Sequence, residues 1–363
     1  MENNLKNRLF STGIRIIAFA LFPLIWFLTQ AILFRELSKT ADRWLLITLA
    51  ILVGSSFIFI LYLGMNKLIS YAPKQYQEAL FGAMFVGPAI FLLSLFLLYP
   101  AIRTIYLSFF DNRGENFIGL ENYRWSVTDP AMLITIRNQI FWLIGVVFLV
   151  ILFGLVVAYL SDRLRRGESF FKSIIFMPMA ISFVGAGVIW KFIYEYRGPE
   201  NTQIGLLNAI IVSLGYEPQA WLTIPMWNNF FLMAIMIWIQ TGLALVIFSA
   251  ALRSIPKEML EAARIDGASE LKIFFSIIIP YLEQTILVIW TLITIIVLRI
   301  FDIIFAMTNG EWQTGVLANL MYDWMFRGGG DSGRGSVLAI VIMIGVIPIL
   351  AWNLYKHRQE QKI

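Results

Sequence analysis

The run Glu261-Ala262-Ala263-Arg264-Ile265-Asp266-Gly267 decides how the rest of the chain is read. It lies between two long apolar stretches, which puts it in the water-exposed part of a membrane protein. Pro256 suits the first turn of a helix, where a missing N–H costs little. Lys257 to Asp266 are mostly good helix formers. Met259, Ala262, Ala263 and Asp266 recur at helical spacing and share one face. Gly267 supplies the stop, because glycine accepts the left-handed conformation that ends a helix. Ser269 fits the cap of a second helix, and Glu270 is favourable in its first turn. That helix runs through Phe274 and Phe275 to Pro280. The expectation is a short helix, a sharp turn, and a second helix leading back into the membrane. Small residues on a short exposed helix suit insertion into a partner's cleft; the plainer alternative is an ordinary amphipathic connector.

Composition sets the solvent. The 363 residues are 59% hydrophobic and 14% charged, where soluble domains carry about 25% charged residues. So much apolar surface cannot be hidden in one soluble core, so the expected class is an all-α polytopic membrane protein. The net charge of +5 follows from loop lysines and arginines and does not point to nucleic acid. There is no cysteine, and the single histidine, His357, lies in a polar tail. A His/Cys metal site is thereby excluded, and little is left for a histidine-based acid–base site. No GxxxxGK[ST] loop is present, so the chain does not bind ATP by a P-loop. No catalytic, cofactor-binding or metal site is expected.

A spanning helix needs about 20 mostly apolar residues. Eight such stretches are read at 13–34, 44–63, 80–108, 132–160, 171–194, 229–252, 281–307 and 336–355. The first is too long for a cleaved signal peptide and lacks a small-x-small site after it. Connectors on one side carry Lys67 and Lys74, Arg163, Arg165 and Arg166, then Arg253, Lys257, Arg264 and Lys272, and the polar ends add more. The other side is poorer in lysine and arginine. The positive-inside rule then places both termini and the Glu261 loop in the cytoplasm.

The spacing has a known counterpart. Glu261-Ala262-Ala263, three residues, Gly267, nine residues, Ile277, one residue, then Ile279-Pro280 resembles the EAA loop of ABC-importer permeases. The family usually has Leu-Pro at the last pair. Phe117-Ile118-Gly119-Leu120-Glu121-Asn122-Tyr123 resembles a segment outside the first core helix of sugar-type permeases, although Asn138-Gln139 stands where they often have Asn-Thr. Phe301-Asp302-Ile303-Ile304 through Thr308-Asn309-Gly310 resembles the family's segment after the loop. From about Leu80 onward the chain looks like the maltose/α-glucoside type of ABC-importer permease.

The resemblance implies a two-helix extension over 1–79 and a six-helix core over 80–363, with a cytoplasmic ATPase-docking loop at 253–280. It implies a second permease subunit, usually a different chain, two ATPase subunits and an extracytoplasmic solute-binding protein. This chain would need no cofactor, ATP and Mg belonging to the partner ATPase. The implied place is a bacterial inner membrane, the implied solute a neutral sugar or glucoside, and the implied mechanism alternating access. Docking is assigned to Glu261, Ala262, Ala263, Asp266 and Gly267.

Candidates for the solute path are Trp238, Gln240, Thr241, Arg299, Asp302 and Asn309. Gln240 and Thr241 suit sugar hydroxyls, but such residues also join helices to one another. Trp238 suits stacking on a sugar ring or plain packing. Arg299 and Asp302, three apart on one face, either line a cavity or form a structural ion pair. Gly328 to Gly333 fits GxGxxG formally, but no strand precedes it and it faces outward, so it is read as a loop. Two rival classes remain. A secondary transporter needs intramembrane coupling sites, for which Asp302 is a thin candidate. A membrane-embedded enzyme needs converging acid–base or metal groups, and none is found.

Overall fold

The computed structural model describes residues 21–360 apart from 33, 37, 38, 40, 41, 165, 328 and 329. Among these the regular structure is helical, with one isolated antiparallel bridge between Phe110 and Phe117. The chain folds as two units, Met1–Ala101 and Ile102–Ile363.

In the first unit, residues 21–32 are helical; residues 13–20 and 33 of the expected first span lie outside the described residues. Helix α1 (Arg43–Ser70) ends just ahead of Pro73, which precedes α2 (Lys74–Leu93). Pro88 lies inside α2, and a π-helical turn, Ser94–Leu98, leads into α3 (Tyr99–Leu107). Proline removes one helical hydrogen bond, and a locally widened turn is a common accompaniment. No residue of α2 is buried, although the helix is apolar from Ala79 onward. A helix that is apolar all round is stable where the surrounding medium is lipid.

The second unit holds a packed core. After α4 (Glu121–Thr128), Asp129 caps α5 (Pro130–Asp162) by accepting the Met132 N–H at 3.0 Å, with Pro130 in the first helical position. Helix α6 (Glu168–Phe176) and α7 (Phe183–Ile193) follow, then the short α8 (Leu206–Ser213) and the long α9 (Trp227–Arg253). Trp142, Val146 and Val150 of α5 interlock with Leu232, Met236, Leu245 and Phe248 of α9. The same cluster takes in Ile289, Ile293 and Val297 of a later helix, Glu283–Leu298.

Among the described residues five helices are by length and composition able to cross a membrane, and up to seven spans result if two bent pairs each count as one. The first bent pair breaks at Pro178, where a proline inside the span 171–194 already predicts a kink; the second bends at Leu282, at the start of the span read over 281–307. In the first, α6 runs into a short tight turn, Met177–Ala180, Ile181 is extended, and α7 restarts at 104°. Pro178 sits at the break, and Ser182 caps the restart through the Gly185 N–H at 3.1 Å. In the second, Glu270–Tyr281 meets Glu283–Leu298 at 67°. A π-helical turn, Phe274–Ile278, and Pro280 lie just ahead of that bend at Leu282. Moreover, the second spanning run ends at Leu298 and not at 307, and Asp302–Met307 is a separate short helix.

Candidate functional site

The loop singled out by its spacing is built from α10 (Lys257–Ile265) and α11 (Glu270–Ile273). Gly267 has φ +80°, the Ala268 N–H bonds the Ala263 carbonyl at 3.0 Å, and the Gly267 N–H bonds the Arg264 carbonyl at 3.0 Å. That pair of bonds is a Schellman closure, which needs a left-handed residue at this position. A Cβ on Gly267 would meet nothing within 4 Å, so backbone conformation alone demands glycine there. Ser269 then accepts the Lys272 N–H at 3.3 Å and starts α11.

The two faces of α10 differ. Leu260 and Ala263 pack against the core cluster together with Ala268. Glu261, Ala262 and Asp266 are exposed, and Ile265 and Leu271 are 86% and 72% exposed. The loop thus holds two large apolar side chains in the open beside carboxylates. Of the five expected docking residues, only Ala263 turns inward.

Charged residues tie this loop to the ends of the long helices. Arg264 Nε donates to Glu270 Oε1 at 2.8 Å, and Arg163, the residue that ends α5, donates to Glu270 Oε2. The Arg163 guanidinium also lies over the Tyr159 ring, 4.1 Å from its centroid, and that ring meets Phe274 at 4.7 Å. Beside this group, Arg253 at the end of α9 pairs with Asp162 at 3.5 Å and with Glu168, which also holds Lys172. The two guanidinium groups hold the Glu270 carboxyl down to about 2, Arg264 contributing most.

The path candidates do not form one cluster. Gln240 and Thr241 are buried in α9. Thr241 is spent on its own helix, donating to the Ile237 carbonyl at 2.7 Å, whereas Gln240 Oε1 is buried without a hydrogen-bond partner. Trp238 is half-buried and meets Trp190 edge-on at 5.8 Å. Arg299 follows the end of the Glu283–Leu298 helix, α12, and is exposed. Asp302 opens α13 (Asp302–Met307) and makes no ion pair with Arg299, because the chain turns at 299–301 and the two no longer share a helical face. Asn309 is left-handed at φ +55° and stands in the loop before α14 (Leu317–Phe326).

That loop carries polar contacts which local pattern did not reveal. Trp312 and Gln313 are also left-handed, at φ +51° and +62°. Their carbonyls are held by amides from distant helices: Asn228 Nδ2 reaches the Trp312 carbonyl at 2.7 Å, and Asn138 Nδ2 reaches Gln313 and Gly315 at 2.7 and 2.9 Å. Trp142 donates to Asn229 Oδ1 at 3.2 Å beside them. Left-handed non-glycine residues persist only where the surroundings over-determine them. The available signal was an amide pair at the start of an apolar span, Asn138-Gln139 and again Asn228-Asn229.

Several candidate spans, two of them broken inside the packed unit, and a capped, exposed loop define a polytopic membrane protein. The chain belongs to the family described as "Binding-protein-dependent transport system inner membrane component", which it matches over residues 130–359. It is similar to the alpha-glucoside transport system permease protein AglF of Rhizobium meliloti (strain 1021), with 57% identity over 76% of this chain and 82% of that one. It is also similar to the osmoprotective compounds uptake permease protein GgtC of Synechocystis sp., with 48% identity over 77% of this chain and all of that one. Among solved structures, a bacterial ABC transporter that imports the acidic polysaccharide alginate shares the fold, with a TM-score of 0.67 and 19% identity over 78% of this chain and 98% of that one. The chain is therefore an inner-membrane permease subunit of an ABC importer.

Proposed function

We propose that this permease carries a neutral, hydroxyl-rich solute, an α-glucoside or related sugar, from a binding protein outside into the cytoplasm by alternating access. The observation that carries the reading is the character of the buried polar groups. Among the described residues every buried polar side chain is a hydroxyl or an amide, and none is charged. Amides and hydroxyls suit sugar hydroxyls, while an anionic solute would favour an arginine or lysine cluster. Gln240, with its unpaired buried Oε1, is the first candidate to touch solute, with Trp238 and Thr241 next to it on α9. Asn309, Arg299 and Asp302 are candidates for the outer part of the path. The likeness to an α-glucoside permease supports the same solute class.

In this reading α10 docks into a groove on an ATPase subunit through Glu261, Ala262, Asp266 and the exposed Ile265, with Ala263 and Gly267 setting its angle. Two ATPase copies, a second permease chain and the binding protein complete the importer. ATP and Mg sit in the ATPase; its closure moves the docking loops and turns the core outward, and hydrolysis resets it. The likeness to a permease for osmoprotective compounds favours a second reading, in which the solute is a compatible glucoside.

The test is ATP-driven uptake into vesicles holding the whole importer and its binding protein. Neutral glucosides are compared with amino acids, phosphates and polyamines. Saturable uptake of a neutral glucoside supports the reading. Preference for a charged solute over every neutral sugar overturns it.

A further inference from the structure

We propose that Glu270 is a positioning residue, clamping the docking helix α10 to the end of the core helix α5 through Arg264 and Arg163. The inference rests on the docking reading above and adds the route by which a push on α10 reaches the core.

The geometry is specific. One carboxylate takes both arginines, Arg264 from the last turn of α10 through Nε at 2.8 Å and Arg163 from the end of α5. Glu270 stands in the first turn of α11, whose backbone is fixed by the Ser269 cap. A carboxylate is also favoured at that end of a helix. The aromatic contacts run parallel to the ionic ones: Arg163 lies over Tyr159, and Tyr159 packs on Phe274, which continues from α11. Both ends of the clamp are therefore anchored, one on α5 and one on the loop.

α5 is a helix worth holding. It packs along most of α9 and meets α12, so it touches both the helix that carries Gln240 and the one that ends at Arg299. Apart from the clamp, α10 is joined to the core through the chain on both sides, at Ser254–Pro256 and at Gly267–Ser269, through the Tyr281 hydroxyl bonded to the Ser254 carbonyl at 3.1 Å, and through the inward contacts of Leu260, Ala263 and Ala268. Arg163 and Glu270 side chains are 44% and 46% exposed. Isolated exposed pairs contribute little, so the clamp's role is to fix geometry and not to hold the fold.

The experiment uses the complete importer in proteoliposomes and reads solute imported per ATP hydrolysed, together with co-purification of the ATPase. Glu270→Gln is expected to keep the ATPase bound and to lower the import-to-hydrolysis ratio about threefold, the size of one lost exposed network. Arg163→Gln should act alike, and the double variant should be no worse than either single one, since both remove the same contact. High salt should lower the ratio in the wild type and leave Glu270→Gln unmoved, because surface pairs are screened. An unchanged ratio in Glu270→Gln, or additive losses in the double variant, overturns the clamp. So does loss of the bound ATPase, which would make Glu270 part of the docking surface. Gly267→Val is run alongside: if it too leaves ATPase binding and import untouched, the docking reading has failed, whereas an effect of Gly267→Val with none of Glu270→Gln removes the clamp alone.

Discussion

Glu270 and Arg163 form an ion pair across 107 residues of sequence, joining the loop after Gly267 to the end of the helix Pro130–Asp162. Both side chains are about half exposed, Arg163 just after the helix Pro130–Asp162 and Glu270 at the start of α11. The pair gives a pH signature. The carboxyl is depressed from 4.5 to about 2, by hydrogen bonds from Arg264 first and Arg163 second. A depressed carboxylate stabilises the folded state above its unfolded pKa, and that contribution is lost as pH falls toward the folded value. The difference in melting temperature between wild type and Glu270→Gln, small because the pair is exposed and screened, should therefore be constant above about pH 5 and shrink as pH falls toward 2. Thermal melts across pH check this; a difference that changes between pH 6 and 8 contradicts it.

Gly267 is a test of backbone alone. Its φ of +80° is closed to valine, while a Cβ there meets no neighbour within 4 Å. Left-handed conformation costs an L-residue about 1–2 kcal/mol, and β-branching makes it worse. Gly267→Val should insert into the membrane yet abolish import, whereas Gly267→Asn, which tolerates this region, should retain most of it. Equal import by the valine variant would remove the turn from the mechanism.

Gly242 tests the contact between Trp227–Arg253 and the break after Phe176. A Cβ at Gly242 would lie 2.8 Å from the Ile175 carbonyl oxygen and 2.8 Å from Phe176 Cα. Backbone atoms cannot step aside as a side chain would, and overpacking of this kind costs about 1–3 kcal/mol. Gly242→Ala should lower the melting temperature of the purified importer, read by thermal denaturation in detergent. An unchanged melt would mean that the break is free to move.

Gln240→Leu separates solute contact from assembly. Its Oε1 is buried without a hydrogen-bond partner, so leucine, of similar volume, takes no partner away from that oxygen. Import should weaken by a factor corresponding to about 1–3 kcal/mol, with subunit co-purification unchanged. The measurement is initial uptake rate against solute concentration, and loss of assembly instead of uptake would return Gln240 to the packing.

Reporter fusions test orientation. A reporter active only outside should work after Asn201 or Gly330 and fail after Gly267 or His357. An outside signal at Gly267 would invert the topology read from the lysine and arginine asymmetry.

Length, apolar content and local spacing determined a good deal here. The spans are legible because lipid forces each one to be long, apolar and internally hydrogen-bonded, and that requirement is written residue by residue. The turn at Asp266–Gly267–Ala268 and the Ser269 cap are legible for the same reason, since their partners lie within five residues. What the tertiary structure decided depends on partners far away in the chain. Asn138 bonds the Gln313 carbonyl 175 residues on, Glu270 meets Arg163, and Gly242 lies under Ile175. No periodicity encodes such pairings. Pro178 marks a kink in its span, but its 104° angle, the bend at Leu282 and the end of α12 at Leu298 were hidden, because proline and polar residues inside an apolar run permit a kink without fixing its angle. That angle is set by the packing of α9 and α5 against the broken segments, and so Arg299 and Asp302, neighbours on a helix drawn from sequence, are parted in the folded chain.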